Sequence, residues 1–191
     1  FYMDADVEVV KSLDPLRVYD ALSGYESKTR IPTGTMGACR DNEWISMLLS
    51  DYDDRHFLKE DGTYDLTTNV EGITRLTVER YHLQLNGEKT MFGENMVFLP
   101  FDYLCAKSLE TGEILRSENT FTIHHFAGSW LPTEVREWTN LRQQYVQQYM
   151  EKSKWIILKL AAIRATNDLY GKREVMRRIG KHFLKQVGKR K

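Results

Sequence analysis

The chain has 191 residues, 41% of them hydrophobic, and equal numbers of basic and acidic side chains. This length suffices for one sizeable core, and no apolar run approaches the roughly 20 residues that a membrane-spanning helix needs. Residues 133–191 carry 15 Lys and Arg against 5 Asp and Glu, whereas residues 1–132 carry 12 against 22. We therefore expect an acidic part suited to cations, and a basic part suited either to an anionic surface or to packing on the acidic part.

The N-terminal segment FYMDADVEVVKSLDPL predicts a β-strand that carries two aspartates. Its apolar positions alternate and end in a run of valines before a turn. Because residues i and i+2 of a strand point to the same side, Asp4 and Asp6 are predicted to project together. The chain begins at Phe1 without a methionine and runs directly into this pattern, so we expect it to be the C-terminal portion of a longer protein.

The middle of the chain predicts short elements of both kinds. They are a helix over 41–49 with Asp41 as its N-cap, a segment over 73–86 that fits helix or strand, a strand over 96–105 broken by Pro100, and a strand around Phe121 and Ile123 that runs into a glycine turn. Cys39 and Cys105 have no metal or redox spacing, which favours two buried thiols in a reducing compartment.

The last third of the chain predicts basic amphipathic helices. One begins at Thr133 after Pro132, a second covers about 152–168, and a third starts at Lys172. We therefore divide the chain into an α/β part, 1–132, and a basic helical tail, 133–191. The tail suits peripheral contact with an anionic membrane, and packing on the first part is the alternative.

Paired aspartates at the end of a strand offer hard oxygen ligands to a divalent cation. Such a cation would neutralise a diphosphate as it leaves, which is the electrostatic task in glycosyl transfer from a nucleotide-sugar. The Asp-x-Asp spacing alone is weak evidence for a metal site. Asp51 and Asp53 have the same spacing inside a polar loop, where solvated carboxylates are the simpler interpretation.

The segment HHFAGSW offers a second set of candidate groups. His124 and His125 are adjacent on a predicted strand and face opposite sides, so one of them can join the aspartates, and an imidazole beside carboxylates suits Mn²⁺. Gly128 allows close backbone approach to a phosphate, Ser129 offers a hydroxyl and Trp130 an indole N–H. The alternative is a core histidine and a tryptophan that serves only in packing.

Two blocks together resemble glycosyltransferase family 32, the sugar-binding-region proteins with a DXD signature. FYMDADVEVVKSLDPL is similar to the signature strand, and ENTFTIHHFAGSW to a later block of the family, in matching order and separation. The resemblance implies a glycosyltransferase-A type fold, of which this chain would hold the C-terminal part. It implies metal-dependent transfer of a hexosyl group from a nucleotide-sugar to a glycan or lipid-linked acceptor, with retention of configuration.

The resemblance also implies roles for individual residues. Asp4 would contact ribose, sugar or metal, and Asp6 would hold Mn²⁺ or Mg²⁺. By analogy with related metal-dependent transferases, His125 would be the third ligand, although His124 has the same chemistry. Ser129 and Trp130, with the backbone at Gly128, would hold the diphosphate. The family places Glu26 near the donor sugar, whereas a lone glutamate after a strand is also typical of a protein surface.

Two other functions fit the same residues. One is a non-catalytic glycan-binding partner, and the other is a metal-dependent phosphoester hydrolase. Nucleic-acid binding is not expected, because no stacking-aromatic motif accompanies the basic charges. The expected location is the cytoplasm, with peripheral membrane contact through the tail.

Overall fold

The computed structural model describes residues 1–65, 67–149 and 154–187 and shows a mixed α/β protein, which confirms the predicted class at this level. The strands are β1 (Tyr2–Met3), β2 (Val7–Val9), β3 (Ala21–Gly24), β4 (Thr35–Ala38), β5 (Thr90–Phe92), β6 (Met96–Leu99) and β7 (Thr122–His124). The helices are α1 (Glu43–Ser50), α2 (Asn69–Tyr81), α3 (Phe101–Leu104), α4 (Thr133–Gln148) and α5 (Lys154–Val187), with a 3-10 turn at Asp14–Val18.

The chain divides into two compact units. The first comprises Phe1–Ser108 and Ile114–Phe126, and the second comprises Leu109–Glu113 and the chain from Ala127 onward. The first unit contains all the strands named above, and the second contains α4 and α5.

The main sheet of the first unit has the strand order β1-β4-β3-β6-β5. Strands β3 and β6 are parallel, while β1 and β3 both pair antiparallel with β4 and therefore run in the same direction. The carboxyl ends of β1, β3 and β6 consequently meet at one edge of the sheet. Asp4 follows β1 at this edge, and Glu26 lies two residues beyond β3.

The N-terminal segment does not form the single continuous strand that the sequence predicts. Strand β1 stops at Met3, and a tight turn follows in which the Val7 N–H donates to the Asp4 carbonyl at 3.1 Å. Strand β2 then pairs with β7 in a separate two-stranded ladder. The reason is local, because aspartate favours turns and is a poor strand residue.

The core lies on both faces of the sheet. In β6, Met96 and Phe98 pack in one buried cluster, while Val97 and Leu99 pack in the cluster on the other face. Helix α1 covers the first face with Trp44, which is fully buried and donates its indole N–H to Thr77 Oγ1 at 2.8 Å.

Two helix boundaries differ from the sequence prediction. Helix α1 is capped by Asn42, whose side chain accepts from the N–H groups of Trp44 and Ile45, whereas Asp41 takes a positive φ of 58° before the cap. The ambiguous segment over 73–86 is helical as far as Tyr81, and α2 begins earlier than predicted, after the N-cap Thr68. Of the two thiols, Cys105 is buried as expected, but Cys39 is exposed.

The predicted tail helices are present in the second unit. Helix α4 begins at Thr133, and α5 is interrupted at Gly171, whose φ of 77° and ψ of 170° confirm a break just before Lys172. The predicted start of the second helix near 152 lies outside the described residues. Helices α4 and α5 pack around a small cluster that contains Val146, Ile157 and Ala161. Within the described chain, no helix combines the length and apolarity needed to cross a bilayer.

Candidate metal centre

Asp4, Asp6 and His124 converge in the first unit. The Nε2 atom of His124 lies 3.4 Å from Asp6 Oδ1 and 3.8 Å from Asp4 Oδ2. One ligand atom from each of the three residues fits within a mutual separation of 4.8 Å. Two ligands at about 2.1 Å from an octahedral ion are about 3 Å apart when they subtend a right angle. The three side chains are therefore close enough to share one ion after small adjustments.

The turn between β1 and β2 and the strand β7 produce this convergence. On one side, the Asp4 N–H donates to the Gly34 carbonyl at 3.0 Å, which ties the turn to the segment that enters β4. On the other side, the ladder between β2 and β7 places Val7 opposite His124. The aspartates thus reach the imidazole from a turn, and not from one face of a strand.

The structure places His125 away from the aspartate pair. Its Nε2 atom lies 2.9 Å from Glu8 Oε2, and its backbone N–H donates to the Asp6 carbonyl at 3.0 Å. Successive side chains of a strand point to opposite faces, so only one of two adjacent histidines can face the turn. The register of β2 and β7 selects His124, and the assignment of His125 as third ligand is corrected accordingly.

The imidazole of His124 is held by packing. A Cβ atom on Gly34 would lie only 2.7 Å from His124 Nδ1, and the ring of Phe126 lies 4.2 Å from the imidazole centroid. The Nδ1 atom is buried and has no hydrogen-bond partner among the described residues. The ring is thus held by the packing of Gly34 and Phe126 and not by a hydrogen bond to Nδ1.

Burial lowers the pKa of His124, and the nearby charges of Asp6 and Asp4 oppose this effect only in part. The ring is therefore favoured in its neutral form, in which a nitrogen lone pair is available to a cation.

Tyr2 is a further residue of the site that the sequence does not single out. Its hydroxyl donates to Asp4 Oδ1 at 2.7 Å, and this hydrogen bond together with the carboxylate charge raises the pKa of Tyr2. The bond engages one oxygen of Asp4, while Oδ2 is the atom nearer the imidazole. Tyr2 therefore orients the carboxylate.

The donor set fits a small hard cation of the Mn²⁺ or Mg²⁺ kind. Carboxylate oxygens suit both ions, and one imidazole nitrogen shifts the preference toward Mn²⁺. All three side chains are partly buried, with 27%, 25% and 12% of the Asp4, Asp6 and His124 side chains exposed. This leaves an opening through which water or a substrate phosphate can complete the coordination.

The second Asp-x-Asp pattern, Asp51 and Asp53, includes a carboxylate that is held in ion pairs within the protein. Asp51 forms ion pairs with Arg55 at 3.0 Å and with Arg75 at 3.5 Å, and only 18% of its side chain is exposed. Its carboxylate is engaged by two guanidinium groups, so a cation at this pattern would have to displace existing ion pairs.

The predicted diphosphate contacts lie in the second unit. Gly128 has a positive φ of 56°, and its carbonyl accepts from the Leu131 N–H at 2.8 Å. Ser129 is exposed, and the Trp130 side chain is 81% exposed, so the indole is not a packing anchor. The contact of these residues with a diphosphate stays a prediction.

Glu26 is partly buried and is not the freely solvated surface residue of the simpler interpretation. Burial raises its pKa, and the charge of Arg30 opposes the shift. Burial also raises the pKa of the Cys105 thiol to about 12, with a smaller contribution from the charge of Glu26. The Cys105 carbonyl in turn accepts from the His124 N–H at 2.9 Å, so Glu26 lies close to the strand that carries the histidine.

Comparisons with protein-family models, with curated proteins and with solved structures found no significant match to the chain.

Proposed function

We propose that the protein transfers a hexosyl group from a nucleotide-diphosphate sugar to a glycan or lipid-linked acceptor, with a divalent cation as cofactor. The observation that carries this proposal is the meeting of Asp4, Asp6 and His124 around one point beside β1. The resemblance of the two sequence blocks to glycosyltransferase family 32 supports the same assignment. With it we propose the glycosyltransferase-A type fold for residues 1–132 and retention of anomeric configuration.

Each residue of the site has one task in this proposal. Asp6 and His124 hold the ion, while Asp4, oriented by Tyr2, contacts the ion, the ribose or the sugar. The ion, when bound, supplies positive charge to the departing diphosphate. Gly128, Ser129 and Trp130 belong to the second unit, and their binding of a diphosphate stays what the resemblance predicts.

The basic second unit is proposed to bring the protein to an anionic cytoplasmic membrane surface, where a lipid-linked acceptor would be located. Each Lys or Arg near such a surface contributes roughly 1 kcal/mol of attraction. The described part of the tail carries several exposed basic side chains, among them Lys172, Arg173 and Arg177.

The test is a thermal-shift screen of the protein against UDP- and GDP-sugars, with and without Mn²⁺, followed by product analysis with the donor that binds. We expect a nucleotide-sugar to raise Tm only when Mn²⁺ is present, and His124→Ala to abolish the shift. Release of free sugar phosphate without a glycoside product would assign the site to a hydrolase. Tm shifts that do not depend on Mn²⁺ would contradict the proposed role of the cluster.

A further inference from the structure

A cavity of about 440 Å³ opens in the first unit beside β1 and β4. Its walls are mainly apolar and include Phe1, Met36, Ile45, Leu48, Leu49 and Ile73. The volume falls within the range of small-molecule sites, which are typically apolar with a few convergent polar groups.

The polar groups of the cavity connect it to the candidate metal centre. Tyr2 lines the cavity, and its hydroxyl donates to Asp4. Thr33 also lines it and immediately precedes Gly34, which contacts the His124 ring. Asn69 completes the set and donates to Thr33 Oγ1 at 3.2 Å. A ligand with an apolar segment in the cavity would therefore meet polar groups at Tyr2 and Thr33, which lie next to Asp4 and Gly34.

Apolar side chains around the cavity remain in contact with water. The exposed fractions are 64% for Leu49 and 51% for Tyr52. Covering such side chains is favourable in proportion to the apolar area removed from water. A nucleobase or an unsubstituted sugar would bring hydrogen-bonding groups against apolar walls, where they would lack partners. The apolar walls and the few polar groups of the cavity therefore suit an amphiphilic ligand, with an apolar chain and a polar head.

We propose that this cavity binds the alkyl or prenyl chain of a lipid-linked acceptor and directs the polar head of the acceptor toward Asp4. The inference rests on the proposed function and specifies its acceptor. It places the substrate's apolar segment between strands β1 and β4 and helices α1 and α2.

The test uses n-alkyl β-D-glucosides of one, six, seven and eight carbons as probes, below their micelle concentrations, with affinity measured by calorimetry in the absence of metal. Leu49→Arg is the test variant, because this exposed side chain tolerates replacement and the guanidinium would obstruct the cavity. Val18→Arg is the matched control, since Val18 is 66% exposed and lies outside the cavity.

We expect affinity in the wild-type protein and in Val18→Arg to rise roughly fourfold for each added methylene. Leu49→Arg should weaken octyl glucoside binding by at least about tenfold, and methyl glucoside should not bind. Equal octyl glucoside binding by Leu49→Arg, or affinity independent of chain length, would overturn the proposal. So would a stable wild-type dimer that Leu49→Arg converts to monomer, because the face would then be an interface between two copies.

These measurements contain no metal and no nucleotide-sugar, so their result is independent of the proposed transferase activity. Asp6→Asn provides the complementary variant, which we expect to lose Mn²⁺ binding and to keep octyl glucoside binding. A protein that bound the alkyl chain but no Mn²⁺ would retain the cavity assignment and lose the proposed function.

Discussion

The Nε2 atom of His124 lies 3.4 Å from Oδ1 of Asp6, although the two residues come from opposite ends of the first unit. The pairing of β2 with β7 sets this distance, because it places Val7 directly opposite His124. A slip of one residue in that register would turn His124 away and present His125 to the turn. Strand pairing therefore decides which of the two histidines lies beside the aspartates.

Tyr2→Phe tests the hydrogen bond that orients Asp4. The variant keeps the exposed aromatic ring and removes only the hydroxyl, so we expect stability to change by less than about 0.5 kcal/mol. Loss of an outer-shell partner should weaken Mn²⁺ binding by about tenfold. The Kd for Mn²⁺ measured by calorimetry checks this expectation. An unchanged Kd would show that the Tyr2 hydroxyl has no part in metal binding.

Gly34→Ala tests the packing that holds the imidazole. The new Cβ would lie 2.7 Å from His124 Nδ1, and because Phe126 packs against the ring, the imidazole has to shift. We expect a loss of about 1–3 kcal/mol in the free energy of unfolding and a fall of at least about tenfold in Mn²⁺ affinity.

Gly72→Ala is the matched control for Gly34→Ala. The nearest atom to its new Cβ is Arg55 Nη1 at 3.7 Å, an ordinary contact, and Gly72 lies inside α2. This change should stabilise the protein by about 0.5–1 kcal/mol and leave Mn²⁺ affinity unaltered. Chemical denaturation together with a metal titration measures both quantities, and equal Mn²⁺ affinity in the two variants would refute the packing argument.

Glu26→Gln should stabilise the protein at neutral pH. Burial raises the pKa of this carboxyl group in the folded state, so the folded protein binds the proton more tightly than the unfolded chain and ionisation disfavours folding. The amide removes that cost. We expect the gain to be at most about 1 kcal/mol, because the carboxylate keeps some contact with water.

The pH dependence of this gain checks its cause. It should be largest above the raised pKa, should shrink as the pH falls, and should vanish below the ordinary value of 4.5, where both states are protonated. Unfolding curves between pH 4 and pH 8 provide the measurement, with the exposed Glu60→Gln as control. A gain of the same size at every pH would mean that the charge of Glu26 is not its source.

The sequence indicates the parts of this fold that depend on local patterns. Thr133 after Pro132 marks the start of α4, Gly171 marks the break in α5, and the alternation at Phe121 and Ile123 marks β7. Each of these features is determined by a few neighbouring residues, through a proline at the helix start, glycine geometry or strand periodicity.

The remaining features depend on contacts between distant segments. The choice of His124 over His125 does not follow from local pattern, because it is set when β2 pairs with β7. The close approach of Gly34 to the His124 imidazole also depends on distant segments. A glycine in the sequence indicates a flexible backbone position or a close approach, but it does not indicate which side chain approaches. The sequence predicts that Asp4 and Asp6 lie close together because they would share one face of a strand. In the structure a turn, and not a strand, brings them together.

Electron paramagnetic resonance titration with Mn²⁺ tests most directly whether Asp4, Asp6 and His124 bind one divalent cation. Wild-type protein, Asp6→Asn, His124→Ala and His125→Ala would be compared, with thermal melts to show that each variant is folded. We predict one bound Mn²⁺ per chain in the wild-type protein and in His125→Ala, and affinity weaker by at least about tenfold in Asp6→Asn and His124→Ala. Wild-type protein that leaves Mn²⁺ in solution, or a loss of binding in His125→Ala but not in His124→Ala, would contradict the account.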